Sequence, residues 1–358
     1  MIIYLLILIC VYVVSAINSK KLNKSDIFLF SLLAIISGFR YDVGTDFFNY
    51  IGYFDRIVAG GKIPAEPGFT IISNIAIMLN LNSQFVFLIF SIMTMFFIYK
   101  GIKYYLDEED TYKPVVYIIF LIFTFFSSFN GIRQALAAAI ILYASRYIIE
   151  KKFLRFALWI VIAMQFHFTS IIFIVLYFVI NKEYKNSVLL SVLGISLIVS
   201  NLGLINKILE YIVFNLSFLD VGGYIQNYLY SNYNAREIRF GIVFFINLII
   251  LVVLIFFKDK INKKPKETLV FNMFYLNILS GVLSIGAPMF SRLTYFFSIY
   301  MALYIPKFIN IFKPESKKVV KISLFILYSM LYLYVIFNGY ISGTTDYIPY
   351  DYNINIFN

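Results

Sequence analysis

Four residues in this sequence have the chemistry to bind an anion and to move a proton: Arg40, Arg133, Arg292 and His167. A guanidinium is a rigid fork of donors that matches phosphate oxygens, whereas a lysine acts as a point charge. An imidazole exchanges protons near neutral pH and serves well as a general base. Arg133 lies in SSFNGIRQALAAAIILYASRYI, Ser127 to Ile148, with Asn130 and Ala137 on its helical face. A charge inside an otherwise apolar run is costly and marks a functional site by default. Snorkelling explains an arginine near the rim, but explains the adjacent Gln134 less well. Ala135, Ala137, Ala138 and Ala139 let neighbouring helices approach and shape a narrow slot.

His167, the only histidine, stands in AMQFHFTSIIF, Ala163 to Phe173, with Gln165, Thr169 and Ser170. These polar residues break a long apolar stretch near its middle. Irregular backbone at membrane depth is tolerated where it lines a cavity. A lone histidine is more often a structural hydrogen-bonder, but its place on the side of the arginines favours a chemical role. The third segment is GFRYDVGTDFFNY, Gly38 to Tyr50. Gly44 permits a sharp turn there, and Asp42, Thr45 and Asp46 bring oxygens near it. Taken alone it reads as an ordinary polar turn flanked by Tyr41 and Tyr50. Gly286, Pro288, Ser291 and Arg292 open a late apolar run.

The elements that position these residues must be membrane helices. Of 358 residues 61% are hydrophobic and only 14% charged, against about 25% charged in soluble domains. Apolar runs place spans at 1–17, 25–39, 84–99, 114–129, 131–149, 153–166, 168–181, 187–203, 238–257, 268–286, 292–309 and 319–337. The expected fold is therefore all-α, one polytopic membrane domain over 1–358 with about 12 spans. The stretch 68–80 reads as a re-entrant or interfacial helix, and 204–218 as an amphipathic helix on the outer surface. The run 1–17 has no basic residue before it and reads as a retained span, not a cleaved signal.

Charge sorts by side. With the N-terminus outside, twenty-two of the thirty basic residues fall in six inner loops, as the positive-inside rule requires. Only two of those are arginine. The other eight, Arg40, Arg56, Lys62, Arg133, Lys207, Arg236, Arg239 and Arg292, face outward, and six are arginine. Pairing with Asp42, Asp55 or Glu237 accounts for Arg56, Arg236 and Arg239. It leaves Arg40, Arg133 and Arg292 for an anion. Outer loops are expected over 40–83 and 204–237, with an outer tail over 338–358. The tyrosines Tyr224, Tyr228, Tyr230 and Tyr233 suit either sugar stacking or interfacial anchoring.

Several classes are excluded. The net charge of +11 is spread over short loops and is no nucleic-acid footprint. Cys10 is the only cysteine, so no disulfide within the chain and no thiol or histidine metal cluster is expected.

Taken together, the motifs resemble the EpsG-type branch of the Wzy polymerases, which extend bacterial surface polysaccharides such as O-antigen. The matching residues are Phe39, Arg40, Gly44, Thr45, Asp46 and Tyr50; Ile132, Arg133 and Gln134; Phe166 and His167; Arg292; and Ile348, Pro349 and Tyr350. Their order and spacing agree across nearly the whole chain. The resemblance implies a multi-pass protein of the bacterial cytoplasmic membrane, acting at the periplasmic face. Its substrates would be oligosaccharide repeat units carried on undecaprenyl pyrophosphate, with no cofactor or metal. A flippase and a chain-length regulator would work beside it. On that reading Arg133 and Arg292 clamp the pyrophosphate with help from Arg40, and His167 activates the acceptor hydroxyl. Asp46 is the reserve base, and Tyr41, Asp46, Tyr50, Asn130, Gln134 and Gln165 contact substrate. An O-antigen ligase or polyprenyl-phosphate-sugar glycosyltransferase is the nearest alternative. A transporter or flippase is the next, although the chain shows no repeat of the arginine-bearing segments.

Overall fold

A computed structural model describes residues 2–17, 22–106, 112–215, 241–342 and 351–357. In chain order the helices are α1 Ile2–Ile17, α2 Lys24–Gly38, α3 Phe47–Val58, α4 Pro67–Met78, α5 Ser83–Tyr105, α6 Lys113–Phe120, α7 Ile132–Ala144 and α8 Arg146–Ile149. They continue as α9 Phe153–Met164, α10 Ile172–Leu176, α11 Asn186–Asn201, α12 Leu204–Asn215, α13 Ile242–Ile261, α14 Pro265–Gly286, α15 Ser291–Tyr304 and α16 Pro314–Ser342. Among the described residues the only sheet pairs β1, Arg40–Tyr41, antiparallel with β2, Asp351–Tyr352. The chain is an all-α membrane protein.

Local chemistry sets the helix starts. Asn23 Oδ1 accepts from the N–H groups of Ser25 and Asp26, and Asp26 Oδ2 accepts from Asn23 N–H at 2.6 Å. This reciprocal cap opens α2. Asn82 opens α5 by accepting from Gln84 N–H at 2.9 Å. Pro67 and Pro265 sit in the first turns of α4 and α14, where a missing N–H costs nothing.

Among the described residues five helical segments are long and apolar enough to cross a membrane: 83–105, 132–149, 242–261, 265–286 and 314–339. The 23 residues of α5 rise about 34 Å, enough for a hydrocarbon core of about 30 Å. The apolar helices over 2–17, 67–78, 113–129, 153–164 and 186–201 are shorter. A 12-residue helix rises only about 18 Å. Length and composition thus support five of the twelve expected spans among the described residues, and irregular backbone interrupts two of the other apolar runs. The run 113–129 passes from α6 through a π-helical turn, Leu121–Phe125, into a 3-10 turn, Phe126–Phe129. The segment 168–181 holds only a 3-10 turn, Phe168–Ile171, and the five-residue α10.

The loop expected over 40–83 contains α3 as well as α4. Phe47, Tyr50 and Phe54 recur at helical spacing and are buried, with the Phe47 ring stacked 4.8 Å from Phe87. The stretch expected over 204–218 begins as α12, whose Leu204, Ile208 and Tyr211 are exposed. The tyrosines at 224, 228, 230 and 233, the pairs invoked for Arg236 and Arg239, and the Ile348–Pro349–Tyr350 motif lie outside the described residues.

Contacts sort to two ends of the bundle. At one end lie the loop 39–46, the breaks at 130–131 and 165–167, and the start of α15. There Gly68 N–H donates to Gln165 O at 2.7 Å, and Asn82 N–H donates to Ile356 O at 2.9 Å. At the other end are the starts of α2 and α6 and the connection from α13 to α14. There Lys113 Nζ meets Asp26 Oδ2 at 2.9 Å, both side chains fully buried, and Tyr117 OH donates to Asp26 Oδ1 at 2.5 Å. Lys307 pairs with Glu267 at 3.2 Å nearby on the same side as Tyr304 and Asn262.

Breaking a buried ion pair on one side leaves an uncompensated charge and costs about 3–5 kcal/mol. Lys113→Met is therefore expected to lower the melting temperature of the detergent-purified protein sharply. The double variant with Asp26→Asn, which keeps an acceptor for the α2 cap, is expected to recover part of the loss.

Candidate active site between helix ends

The site begins at Arg40, where α2 stops. Its side chain is fully buried. Nε donates to Val43 O at 3.1 Å, one terminal nitrogen to Ser37 O, and the other to Phe129 O at 3.0 Å. The guanidinium carbon lies 4.9 Å and 5.2 Å from the ring centroids of Phe87 and Phe129. Arg40 therefore ties the loop 39–46 to the carbonyl freed just before α7. Gly44 makes the approach possible: its φ is +101°, and a Cβ there would lie 2.6 Å from Phe129 O. Asn130 Oδ1 accepts from Thr45 N–H at 2.9 Å and completes the seam.

Beyond that seam α7 starts at Ile132, so its free N–H groups and the positive end of its dipole face the loop. Arg133 and Gln134 are in its first turn. Gln134 Nε2 donates to Arg292 O, which ties the start of α7 to the start of α15. The break between α9 and the 3-10 turn at 168–171 delivers His167 to the same place. A fourth helix start, that of α4, packs against this break. A Cβ on Gly68 would lie 2.6 Å from Gln165 O, so only glycine fits there.

These helix ends enclose a cavity of about 470 Å³. Arg133, Arg292 and His167 line it, with Asp46, Tyr50, Asn130 and Gln134. Thr45, Asn49, Tyr53, Gly131 and Tyr295 complete the wall. Seven of the ten residues singled out from sequence are thus brought together. Three are placed elsewhere. Arg40 is consumed by main-chain carbonyls behind the wall. Tyr41 is on β1, half exposed, with its ring against Phe47. Gln165 turns its exposed side chain back to Val161 O at 3.3 Å, and only its carbonyl takes part in packing.

One residue that sequence reasoning missed stands at the centre of the polar network. Glu66 Oε2 pairs with Arg133, Glu66 Oε1 lies 3.3 Å from His167 Nδ1, and the same oxygen accepts from Phe168 N–H at 3.2 Å. Its signal was a lone carboxylate immediately before Pro67, at the start of an apolar helix. Burial pushes the Glu66 carboxyl up, but the His167 hydrogen bond and the Arg133 charge outweigh it and hold it below its ordinary 4.5. The Tyr50 phenol is pushed up to about 12 by burial, against the pull of Arg133, so at neutral pH it is a donor. Arg133 Nε is buried with no hydrogen-bond partner among the described residues, an unused donor beside the cavity. Among those residues no group of three or more His, Cys, Asp or Glu is gathered to hold a metal ion.

The arrangement offers two guanidinium groups and two helix N-termini to an anion, and an imidazole to an adjoining hydroxyl. Gly44→Ala is expected to open the seam between the loop and Phe129, abolishing activity while membrane expression persists. Arg40→Lys is expected to behave similarly, since one ammonium cannot reach three divergent carbonyls. A folded-state Glu66 carboxyl below its free value contributes stability above the free value and loses it as pH falls through the folded one. Wild type should therefore exceed Glu66→Gln in melting temperature by a constant margin above pH 4.5, and the margin should shrink below it.

No curated protein gives a significant match to the chain, and no solved structure does either. The family model described as EpsG family matches residues 23–352, nearly the whole chain. The segments that build the cavity all fall inside that match, and the chain belongs to the EpsG family.

Proposed function

We propose that this protein polymerises lipid-linked oligosaccharide repeat units into a surface polysaccharide of the O-antigen type. The growing glycan leaves its undecaprenyl pyrophosphate and joins the terminal hydroxyl of an incoming lipid-linked unit. The observation that carries this reading is the meeting of Arg133, Arg292 and His167 around one cavity in a membrane protein of the EpsG family.

The chemistry follows from the site. The acceptor hydroxyl oxygen bonds to the anomeric carbon while the bond from that carbon to the phosphate oxygen breaks. Its electron pair leaves with the lipid pyrophosphate, and the hydroxyl proton passes to His167 Nε2. Arg133, Arg292 and the starts of α7 and α15 stabilise the charge that develops on the leaving group. The positive charge comes from the protein, so the reaction runs without a metal. Attack opposite the leaving group inverts the anomeric centre. Tyr50, Asn130 and Gln134 orient the substrate, and Asp46 is a second carboxylate within reach of an acceptor proton.

The chain sits in the bacterial cytoplasmic membrane with about twelve passages, several of them short or paired. The lysine-rich end faces the cytoplasm and the cavity faces the periplasm. A flippase supplies the substrate, and a chain-length regulator sets the product size.

The test is the polysaccharide ladder from a strain lacking the gene, complemented with wild type, Arg133→Ala or His167→Ala. Wild type is expected to restore the ladder. Either variant, expressed normally, is expected to leave single capped units, a loss of about 10²–10³-fold in chain extension. Long chains in the null strain would sink the reading. So would loss of even the single capped unit, which points to a ligase or flippase.

A further inference from the structure

Behind two residues of the cavity wall, Arg133 and His167, stands a carboxylate that the proposed reaction does not use. Glu66 stands before α4 and reaches across to two other elements. Oε1 faces His167 Nδ1 at 3.3 Å and takes Phe168 N–H at 3.2 Å, while Oε2 takes the Arg133 guanidinium. A neutral imidazole has one N–H and one lone pair, and a carboxylate beside Nδ1 selects the form with its proton there. The Nε2 lone pair is then left for the cavity. Glu66 is only about one-fifth exposed, so these bonds are made in a largely desolvated setting where they hold geometry firmly.

We propose that Glu66 is the positioning residue of this active site, fixing the His167 tautomer through Oε1 and the Arg133 fork through Oε2. It touches neither substrate nor leaving group. One carboxylate thereby couples the base to the anion clamp, so that the acceptor hydroxyl and the pyrophosphate are held in register. The ion that His167 becomes on taking the acceptor proton is stabilised by the same carboxylate. Its lowered pKa fits a group kept ionised by two partners. This inference rests on reading His167 as the base.

The competing account is that Glu66 only caps the 3-10 turn at 168–171 through Phe168 N–H. The split of the loss between kcat and KM, with rescue by the conservative variant, separates the two. The charged or titratable groups facing His167 are Glu66 directly, Arg133 through Glu66, and Asp46, Tyr50, Tyr53, Arg292 and Tyr295 across the cavity. Of these, Glu66 is the one in contact with the ring nitrogen.

The experiment uses the full chain, purified and reconstituted with a lipid-pyrophosphate-linked repeat unit. Initial rates are followed over a range of substrate concentrations for wild type, Glu66→Gln, Glu66→Asp and His167→Ala. Glu66→Gln keeps the shape and an acceptor for Phe168 N–H. It is expected to lower kcat roughly tenfold or more, with a smaller change in KM, as loss of an orienting partner does. Glu66→Asp should recover part of kcat. A kcat within twofold of wild type in Glu66→Gln, or a loss that falls on KM and leaves kcat unchanged, overturns the inference while His167→Ala remains inactive. If His167→Ala retains wild-type rate, the reading of His167 as base fails instead, and the two failures are distinct.

Discussion

The cavity end of this molecule is pinned by one buried guanidinium. Arg40 has no exposed surface, and its donors meet the carbonyls of Ser37, Val43 and Phe129. Those carbonyls are free because a helix ends or breaks at each place. In an apolar surrounding an unsatisfied carbonyl costs several kcal/mol, so irregular backbone persists only where something bonds it. Gln84 does the same on the other side, donating from one amide to Gly38 O at 2.6 Å and Arg40 O at 3.1 Å. Phe87 and Phe129 cover the cation with the faces of their rings. With this peg in place, four interruptions can sit side by side without collapsing into longer helices.

Those interruptions give the cavity its chemistry. A continuous helix offers no N–H groups to a ligand, whereas a helix that starts at mid-depth offers its first turn. α7 and α15 both start at the wall, and Gln134 locks them together through Arg292 O. His167 arrives because α9 stops at Met164 and a short 3-10 turn follows. Small residues make room for the junctions. Gly44 admits Phe129 O, Gly68 admits Gln165 O, and the alanines of α7 pack fully against their neighbours.

Much of this was legible in the sequence, and the exceptions have physical causes. Arg133, Arg292 and His167 were visible because a charge or an imidazole in an apolar run has no structural excuse, and the cavity gathers all three. Arg40 looked the same by that logic. A guanidinium serves main-chain carbonyls as well as it serves an anion, and type and position do not tell the two apart. Gln165 shared a polar cluster with His167, but a residue one turn from a break can point either way. Glu66 lay 67 positions from Arg133 and 101 from His167, a juxtaposition that only the packing of α4 against the α9 break creates. The span count was less legible, for another reason. Hydropathy reports apolar runs and is blind to π and 3-10 turns inside them, so 113–129 and 168–181 looked like simple crossings.

The short ladder between β1 and β2 bears on how the protein comes into being. Tyr41 is paired with Asp351, Asn353 N–H donates to Phe39 O, and Asn82 binds the carbonyls of Asn355 and Phe357, up to 275 positions away. The strand that carries Arg40 leaves the ribosome before α3, and its partner follows only after α16. The backing of the loop that carries Arg40 is therefore completed only once α16 has been made. A chain interrupted before that point holds the arginines and the histidine but lacks the strand that pairs with Arg40 and Tyr41.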